Sequence, residues 1–235
     1  MHTFTPSLIE GKLIKRYKRF FLDAKLPNGD IAVAHCANTG SMSGLLDEGN
    51  PVWLTPVDDP KRKLKFSLQI IDVGTSLVGV NTMLPNHLVA DAILDGTIKQ
   101  LNNYSTLKKE VKYGVEGKSR IDILLTDENK KPCYVEVKNV TLKVGDQAQF
   151  PDAVTTRGAK HLDELLAEVK KGNRAVMIYL TQREDCTSFA PAEHKDPVYS
   201  EKLRECVKQG VEAYCYSCKI SPTGIIVDRE LPITL

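Results

Sequence analysis

The first eighty residues read as strand and turn throughout, and that limits the fold more than any other feature of the chain. Five β-prone segments, "GKLIKRYKRFFLDAKL", "DIAVAHC", "PVWLTP", "KFSLQIIDV" and "SLVGVNT", are separated by the turn clusters "PNGD", "DEGNP", "DDPKRK" and "DVGTS". About five short antiparallel strands in so little chain fit a small closed barrel, and an OB-fold is the natural form. In the first segment Phe20, Leu22, Ala24 and Leu26 share one face, yet Arg16 and Lys18 at the same parity are charged. The switch predicts a bend or bulge partway along one long strand.

From about Leu84 the pattern changes. "PNHLVADAILDG" predicts a helix with Asn86 as its cap and Leu88, Val89, Ala92 and Ile93 as its apolar stripe. Three strands are expected next, at residues 108–113, 120–125 and 133–140. "TTRGAKHLDELLAEVKKG" is a second helix, with Leu162, Leu165, Leu166 and Val169 on one face and Gly172 ending it. The strand "AVMIYL", the helix "PVYSEKLRECVKQG" and two closing strands complete the chain. This run packs as a mixed sheet with flanking helices, so the class is α+β, with units at 1–82 and 83–235.

Composition narrows the setting. With 42% hydrophobic and 26% charged residues in 235, the chain is globular rather than disordered. No apolar run approaches the roughly 20 residues of a membrane span, and the N-terminal stretch lacks the apolar core of a signal peptide. A cytoplasmic location is expected, with the six cysteines as free thiols. Cys215 and Cys218 have metal-like spacing, but on a strand residues three apart face opposite ways, and no second pair completes a zinc site.

The charge is uneven. Residues 1–81 carry ten Lys/Arg against eight Asp/Glu, and the remainder carries 22 of each. The excess lies in two knots, Lys12, Lys15, Arg16, Lys18 and Arg19, then Lys61, Arg62, Lys63 and Lys65, interleaved with Tyr17, Phe20, Phe21 and Phe66. Basic side chains mixed with aromatic rings suit a groove that tracks a nucleic-acid backbone and stacks bases; a merely solvated face is the plainer alternative. In "HCANTGSM", His35 and Asn38 flank Gly40 in a loop that reads equally as a phosphate cradle or a tight turn. Arg157 and His161, four apart at the start of the second long helix, share a face where Arg157 can meet a phosphate. Gln182 and Arg183 offer a weaker contact of the same kind.

The stretch "SRIDILLTDENKKPCYVEVKN" carries the chemistry. It reads as two strands joined by a turn, and centring the hairpin on Asn129 sets Asp122 opposite Glu136. Opposed side chains have Cβ atoms about 4.5–5.5 Å apart, where like charges repel. Lys138 stands on the same face as Glu136. Two facing carboxylates suit a hard divalent ion such as Mg²⁺ or Mn²⁺, and the Val137 carbonyl makes a third oxygen donor. Lys138 can then activate water or stabilise charge on a phosphodiester. The alternative is a surface ladder in which Lys138 only neutralises the acids.

This arrangement resembles the PD-(D/E)XK nuclease superfamily, whose Asp…Glu-x-Lys signature matches Asp122, Glu136 and Lys138, with Ile121 in the proline position. The resemblance implies an extra carboxylate, for which Glu110 is the nearest candidate. A resemblance spanning almost the whole chain is to the sugar fermentation stimulation protein family, carried by "GKLIKRYKRF", "AHCANTGSM", "PKRKLKFSLQI", "LVGVNTMLPN", "CYVEVKN" and "FPDAVTTRGAKHL". It implies a DNA-binding protein with an OB-like domain followed by a nuclease-like one. Besides a small-molecule or carbohydrate-linked regulator whose barrel and cleft bind a metabolite, which only the family's name suggests, two functions follow. One is largely sequence-nonspecific binding of duplex or single-stranded DNA with a metal-dependent nuclease site. The other is a non-catalytic DNA-binding regulator of sugar (maltose) metabolism that uses the nuclease-like fold as a platform. The absence of a helix-turn-helix pattern argues against a sequence-specific factor. The oligomeric state is left open, a homodimer included.

Overall fold

The computed structural model describes residues 1–114, 117 and 119–235. After a two-residue strand β1 (His2–Thr3), the chain forms β2 (Ile9–Tyr17), β3 (Phe21–Lys25), β4 (Ile31–His35), β5 (Pro51–Pro56), β6 (Phe66–Asp72) and β7 (Leu77–Gly79). These six pair in the order β4-β3-β2-β5-β6-β7, and β4 also pairs with β6 through Ala34↔Phe66 and His35↔Ser67, closing the barrel. Alternate residues point inward, as the two-residue period requires, and Leu13, Leu22, Leu54, Leu68 and Ile71 fill the centre.

The predicted long first strand is a hairpin instead. Tyr17 pairs with Phe21 around Lys18, Arg19 and Phe20, with Lys18 and Arg19 at φ 49° and 63°. The charged residues at apolar parity therefore mark a reversal of the chain. The expected bulge is also present, between Leu13 and Lys15. The left-handed pair costs about 1–2 kcal/mol per residue, and it is held by hydrogen bonds from Arg16 Nε to the Arg19 carbonyl (3.1 Å) and from Cys36 N–H to the Phe20 carbonyl (2.8 Å).

The second unit adds α1 (Pro85–Leu94), β8 (Thr106–Tyr113), β9 (Ser119–Asp127), β10 (Lys130–Val140), β11 (Leu142–Val144), β12 (Gln147–Phe150), α2 (Thr156–Lys170), β13 (Arg174–Thr181), β14 (Ser188–Pro191), α3 (Pro197–Lys208), β15 (Glu212–Ser221) and β16 (Gly224–Leu231). Its main sheet runs β1-β16-β15-β13-β10-β9-β8, with β10, β13 and β15 parallel to one another. Helix α1 covers one face through Leu88, Val89 and Ile93, and Trp53, Ile70 and Leu77 of the barrel join that core. Helices α2 and α3 cover the other face through Leu162, Leu165 and Leu203. Cys215 and Cys218 fall in opposite cores.

Two features correct the sequence reading. A three-stranded sheet, β11-β12-β14, sits beside the main one, where no strands were expected. The first residues do not belong with the barrel: His2 pairs with Ile225, Thr3 with Gly224, and Phe4 N–H donates to the Thr223 carbonyl (3.1 Å). An edge strand presents unpaired N–H and C=O groups, and the N-terminal strand covers that edge.

Candidate functional site

The hairpin of β9 and β10 builds the site by beginning regularly and then opening. Cys133, Tyr134 and Val135 pair with Leu125, Leu124 and Ile123, so one further step brings Asp122 opposite Glu136, as the sequence indicates. There the ladder stops. Asp122 Oδ2 accepts the Val137 N–H at 2.7 Å, so a side chain does the work of a missing strand partner. From Val135 on, β10 keeps its parallel register with β13 without a break, Glu136↔Met177 to Val140↔Thr181.

The opening has a cause in the backbone. Leu107, Ile123 and Leu125 pack in the α1 core, whereas Val111, Tyr113 and Ile121 pack in the α2 core. Both β8 and β9 therefore switch faces at Glu110 and Asp122. Glu110 takes φ 55°, which is unusual for a non-glycine residue in a strand. Such strain persists only where the surroundings over-determine it, and it clusters at functional sites. Asn86 on α1 spans the switch, its Nδ2 donating to Asp122 Oδ1 at 2.7 Å and lying 3.5 Å from Glu110 Oε1. The sequence reading made Asn86 the helix cap. In the fold the cap position falls to Leu84, with Pro85 opening the helix, and Asn86 is released to hold the carboxylate.

Glu136 faces α2 and is 2% exposed. Its Oε1 accepts from Lys138 Nζ at 2.6 Å and meets His161 Nδ1. Lys138 Nζ is also 3.0 Å from His161 Nδ1, and Arg157 Nε donates to His161 Nε2 at 3.3 Å. Asp122, Glu136 and Lys138 are thus adjacent, and His161 and Arg157 extend the row along one helix face. Glu136 Oε2 is buried with no hydrogen-bond partner among the described residues.

The two carboxylates hold their protons differently. Burial, then the charge of Glu136, pushes Asp122 up to about 6, against the pull of the Val137 N–H, Lys138 and Asn86. Burial also pushes Glu136 up, but the His161 hydrogen bond and Lys138 outweigh it and hold that carboxyl below its ordinary value. Glu136 keeps the negative charge and Asp122 is destabilised by it.

The other candidates divide. Lys15, Lys18, Arg19, Lys61 and Lys63 are exposed, and Arg62 is half-buried with Nη2 donating to Ser67 Oγ at 3.2 Å. Arg16 is more constrained. Its guanidinium donates to the carbonyls of Asn38 (2.8 Å) and Gly40 (3.0 Å) and so shapes the loop. His35 stacks under Phe20 with parallel rings 6.3 Å apart. Asn38 is buried, and its Oδ1 accepts the Gly40 N–H at 2.8 Å. Two more donors of the loop are claimed from the β12–α2 connection, where Asp152 Oδ2 accepts from Ser41 Oγ (3.2 Å) and the Met42 N–H (3.3 Å). Gln182 and Arg183, expected to reach a phosphate, are instead buried and committed to Asn139 and to Asp185.

Three clefts that share lining residues run from the barrel loop past β12 to the start of α1 and β8. One of ≈ 580 Å³ lies among Arg16, Arg19, Phe150 and Val154. It shares Thr39, Gly40, Phe150 and Asp152 with a neck of ≈ 180 Å³ beside Asn139, and the neck shares Thr82 with a cleft of ≈ 550 Å³ that reaches Asn86 and Glu110.

Comparison with known proteins follows the same division. The family model "Sugar fermentation stimulation protein RE domain" matches residues 83–224, and "SfsA N-terminal OB domain" matches residues 14–80. A sugar fermentation stimulation protein homolog of Paramagnetospirillum magneticum is 50% identical over 232 residues, covering 99% of this chain and 97% of its own. One of Nitrosococcus oceani is 51% identical over 236 residues, covering 99% and 100%. The structure of Pyrococcus furiosus SfsA in complex with Ca²⁺ shares the fold, with TM-score 0.89 at 24% identity and 100% of both chains covered. The chain belongs to the sugar fermentation stimulation protein family, and its fold is an OB-like barrel followed by a mixed-sheet domain with flanking helices.

Proposed function

We propose that this member of the sugar fermentation stimulation protein family binds DNA with little sequence preference and carries a divalent-metal phosphodiesterase site of the PD-(D/E)XK type at Asp122, Glu136 and Lys138. The observation that carries the reading is Glu136 Oε2, a carboxylate oxygen buried without a partner beside a second carboxyl pushed up to about 6. Lys138 and His161 satisfy Oε1 alone, and a buried polar atom left without a partner costs about 1–3 kcal/mol, so a chain that keeps one needs a use for it.

The donor set fits a hard cation. Asp122, Glu136 and the Val137 carbonyl are all oxygen donors, and Mg²⁺ needs only one or two carboxylates because it keeps several waters. The N–H and C=O of a strand residue point to the same side. Since the Val137 N–H meets Asp122, its carbonyl also looks toward Asp122. No three His, Cys, Asp or Glu groups among the described residues form a ready cage, so water and substrate would have to complete the shell. A Mg²⁺ or Mn²⁺ ion would supply Lewis-acid polarisation of a phosphoryl oxygen. The Ca²⁺ complex of the archaeal protein agrees with this choice of hard cation.

The chain's own groups do the remaining work. Lys138 Nζ, 2.6 Å from Glu136 Oε1, sets an ammonium beside the carboxylates and can stabilise negative charge developing on the phosphodiester. His161 and Arg157 form a row that holds Glu136 and Lys138 in place, and Arg157, exposed at its end, meets a neighbouring phosphate. Asn86 holds Asp122 from the α1 side, and the same amide lies 3.5 Å from Glu110 Oε1. The exposed Lys15, Lys18, Arg19, Lys61 and Lys63 draw the backbone to the barrel. We place the division between the units at 82/83, with residues 1–4 assigned to the second. Six buried free cysteines and the lack of a helix long and apolar enough to cross a membrane among the described residues support a reducing, cytoplasmic setting.

Thermal melts with and without Mn²⁺ test the site. At ten times its dissociation constant, a ligand of the folded state adds about 1.4 kcal/mol. The parent should gain that much, while Asp122→Asn and Glu136→Gln should not respond. Identical responses of parent and variants would sink the metal site and leave DNA binding standing alone.

A further inference from the structure

We infer that the groove between barrel and sheet takes a nucleic-acid strand whose bases are unpaired, with Phe20 and Met83 as the side chains that wedge or stack against them. This rests on the DNA-binding reading and names its substrate class. Three observations converge on it.

The first is shape. The groove pinches to a neck of ≈ 180 Å³ between the barrel loop at Asn38 and strand β12 at Gln149. A neck of that size has room for the edge of a base that a single strand leaves free, whereas a double helix can only rest on its rim. The wider clefts on either side, ≈ 580 and ≈ 550 Å³, leave room for a chain to pass in and out.

The second is the rim. Phe20 is 45% exposed, Met83 71% and Val154 73%. Met83 and Val154 line the two outer clefts, and Phe20 follows Arg19, which lines one of them. Large apolar side chains left in water beside basic ones match proteins that track a backbone with charge while stacking or wedging bases apart. The charge is complementary too. Asp152 is turned into the barrel loop by Ser41 and Met42, so Arg19 is the exposed charge of the first cleft, with Lys18 beside it on the hairpin tip.

The third is the polar lining of the neck. Asn38, Thr82 and Asn139 line it with polar groups already engaged by Gly40, Ala37 and Gln182, whereas Gln149 Oε1 is buried without a partner among the described residues. Such a spare acceptor suits the edge of a base that is not already hydrogen-bonded to another.

Fluorescence anisotropy of the full chain in EDTA, so that no cleavage intervenes, reads the preference directly. The probes are a single strand of about 20 nucleotides, its blunt duplex, and the same duplex carrying a tail of about ten unpaired nucleotides. The single strand and the tailed duplex should bind about tenfold more tightly than the blunt duplex, and Phe20→Ala with Met83→Ala should bring that ratio close to one. Both side chains are exposed, and an unchanged melting curve would confirm that the variant folds. Equal affinity for all three probes, or a ratio that the double variant does not move, overturns the inference while the DNA-binding reading stands. Binding to none of them removes both.

Discussion

Two aspartates of this molecule have opposite surroundings, and the difference separates a structural contact from a candidate site. Asp185 is surrounded by cations. Arg183 Nε and Nη2 lie 2.6 and 2.8 Å from its oxygens, Lys143 Nζ is at 3.0 Å, and Thr75 Oγ1 donates from the barrel at 3.0 Å. Burial pushes it up, but Arg183 and Lys143 outweigh that and hold the carboxyl well below its usual range. Asp122 has a carboxylate for a neighbour and only neutral donors in direct contact, and it is pushed up to about 6. One aspartate is complete as the chain stands. The other leaves negative charge uncompensated, which is what a cation site needs before its cation arrives.

The comparison breaks first, and hardest, at Asp185. Asp185→Asn strands the guanidinium of Arg183, whose side chain is 5% exposed. Removing one partner of a buried ion pair costs about 3–5 kcal/mol. Chemical denaturation at pH 7 should show a loss of that order. The sign follows from the lowered folded value: the stabilisation is present above the unfolded pKa and lost as acid protonates the carboxyl. A loss under about 1 kcal/mol would mean that the pair is merely a surface contact.

Asp122→Asn should do the reverse, by a smaller amount. A folded value raised to about 6 from 3.8 stabilises the protein fully only below the unfolded pKa, and that contribution disappears as pH rises through about 6. The variant should therefore gain about 1–2 kcal/mol over the parent at pH 8 and about half as much at pH 5, with the Val137 N–H still accepted by the new amide oxygen. Urea denaturation of both proteins at the two pH values measures it. If Asp122→Asn were destabilised at pH 8 as Asp185→Asn is expected to be, the two aspartates would be the same kind of residue.

How far this contrast could be read from the sequence depends on which forces are local. The β9–β10 register was legible because alternation on a half-buried hairpin allows one pairing, and a slip of one residue would turn every side chain to the wrong face. The opposite fates of Cys215 and Cys218 followed from the same period. The switch of faces at Glu110 and Asp122 was hidden, since Ile121 and Ile123 keep their spacing while entering different cores. Arg16 and Arg183 looked like phosphate contacts because a sequence shows a charge but not the carbonyl or carboxylate that will claim it. Asn86 misled for a related reason. Asparagine near a helix start reads as a cap, and only the fold reveals that its donor crosses to another element.

The smallest effect gives the sharpest contrast. Asn86→Ala and Thr75→Ala each remove one neutral hydrogen-bond donor from an aspartate. At Asp185, Arg183 and Lys143 remain, so Thr75→Ala should cost about 0.5 kcal/mol and leave its acid titration nearly unmoved. At Asp122 the loss falls on the charged form alone, because Asn86 Nδ2 donates to Oδ1 and nothing cationic takes its place there. Asn86→Ala should therefore cost about 1 kcal/mol at pH 8 and less at pH 5, and should push the Asp122 carboxyl further up. It should also weaken Mn²⁺ binding by about tenfold, since a group that orients a ligand is worth about 10–100-fold in metal affinity. Carboxyl chemical shifts of Asp122 against pH, with Mn²⁺ titration by calorimetry, follow both effects. If Asn86→Ala changed neither the titration nor the metal affinity, Asn86 would only pin α1 to the sheet, and the uncompensated charge at Asp122 would have to be explained by Glu136 alone.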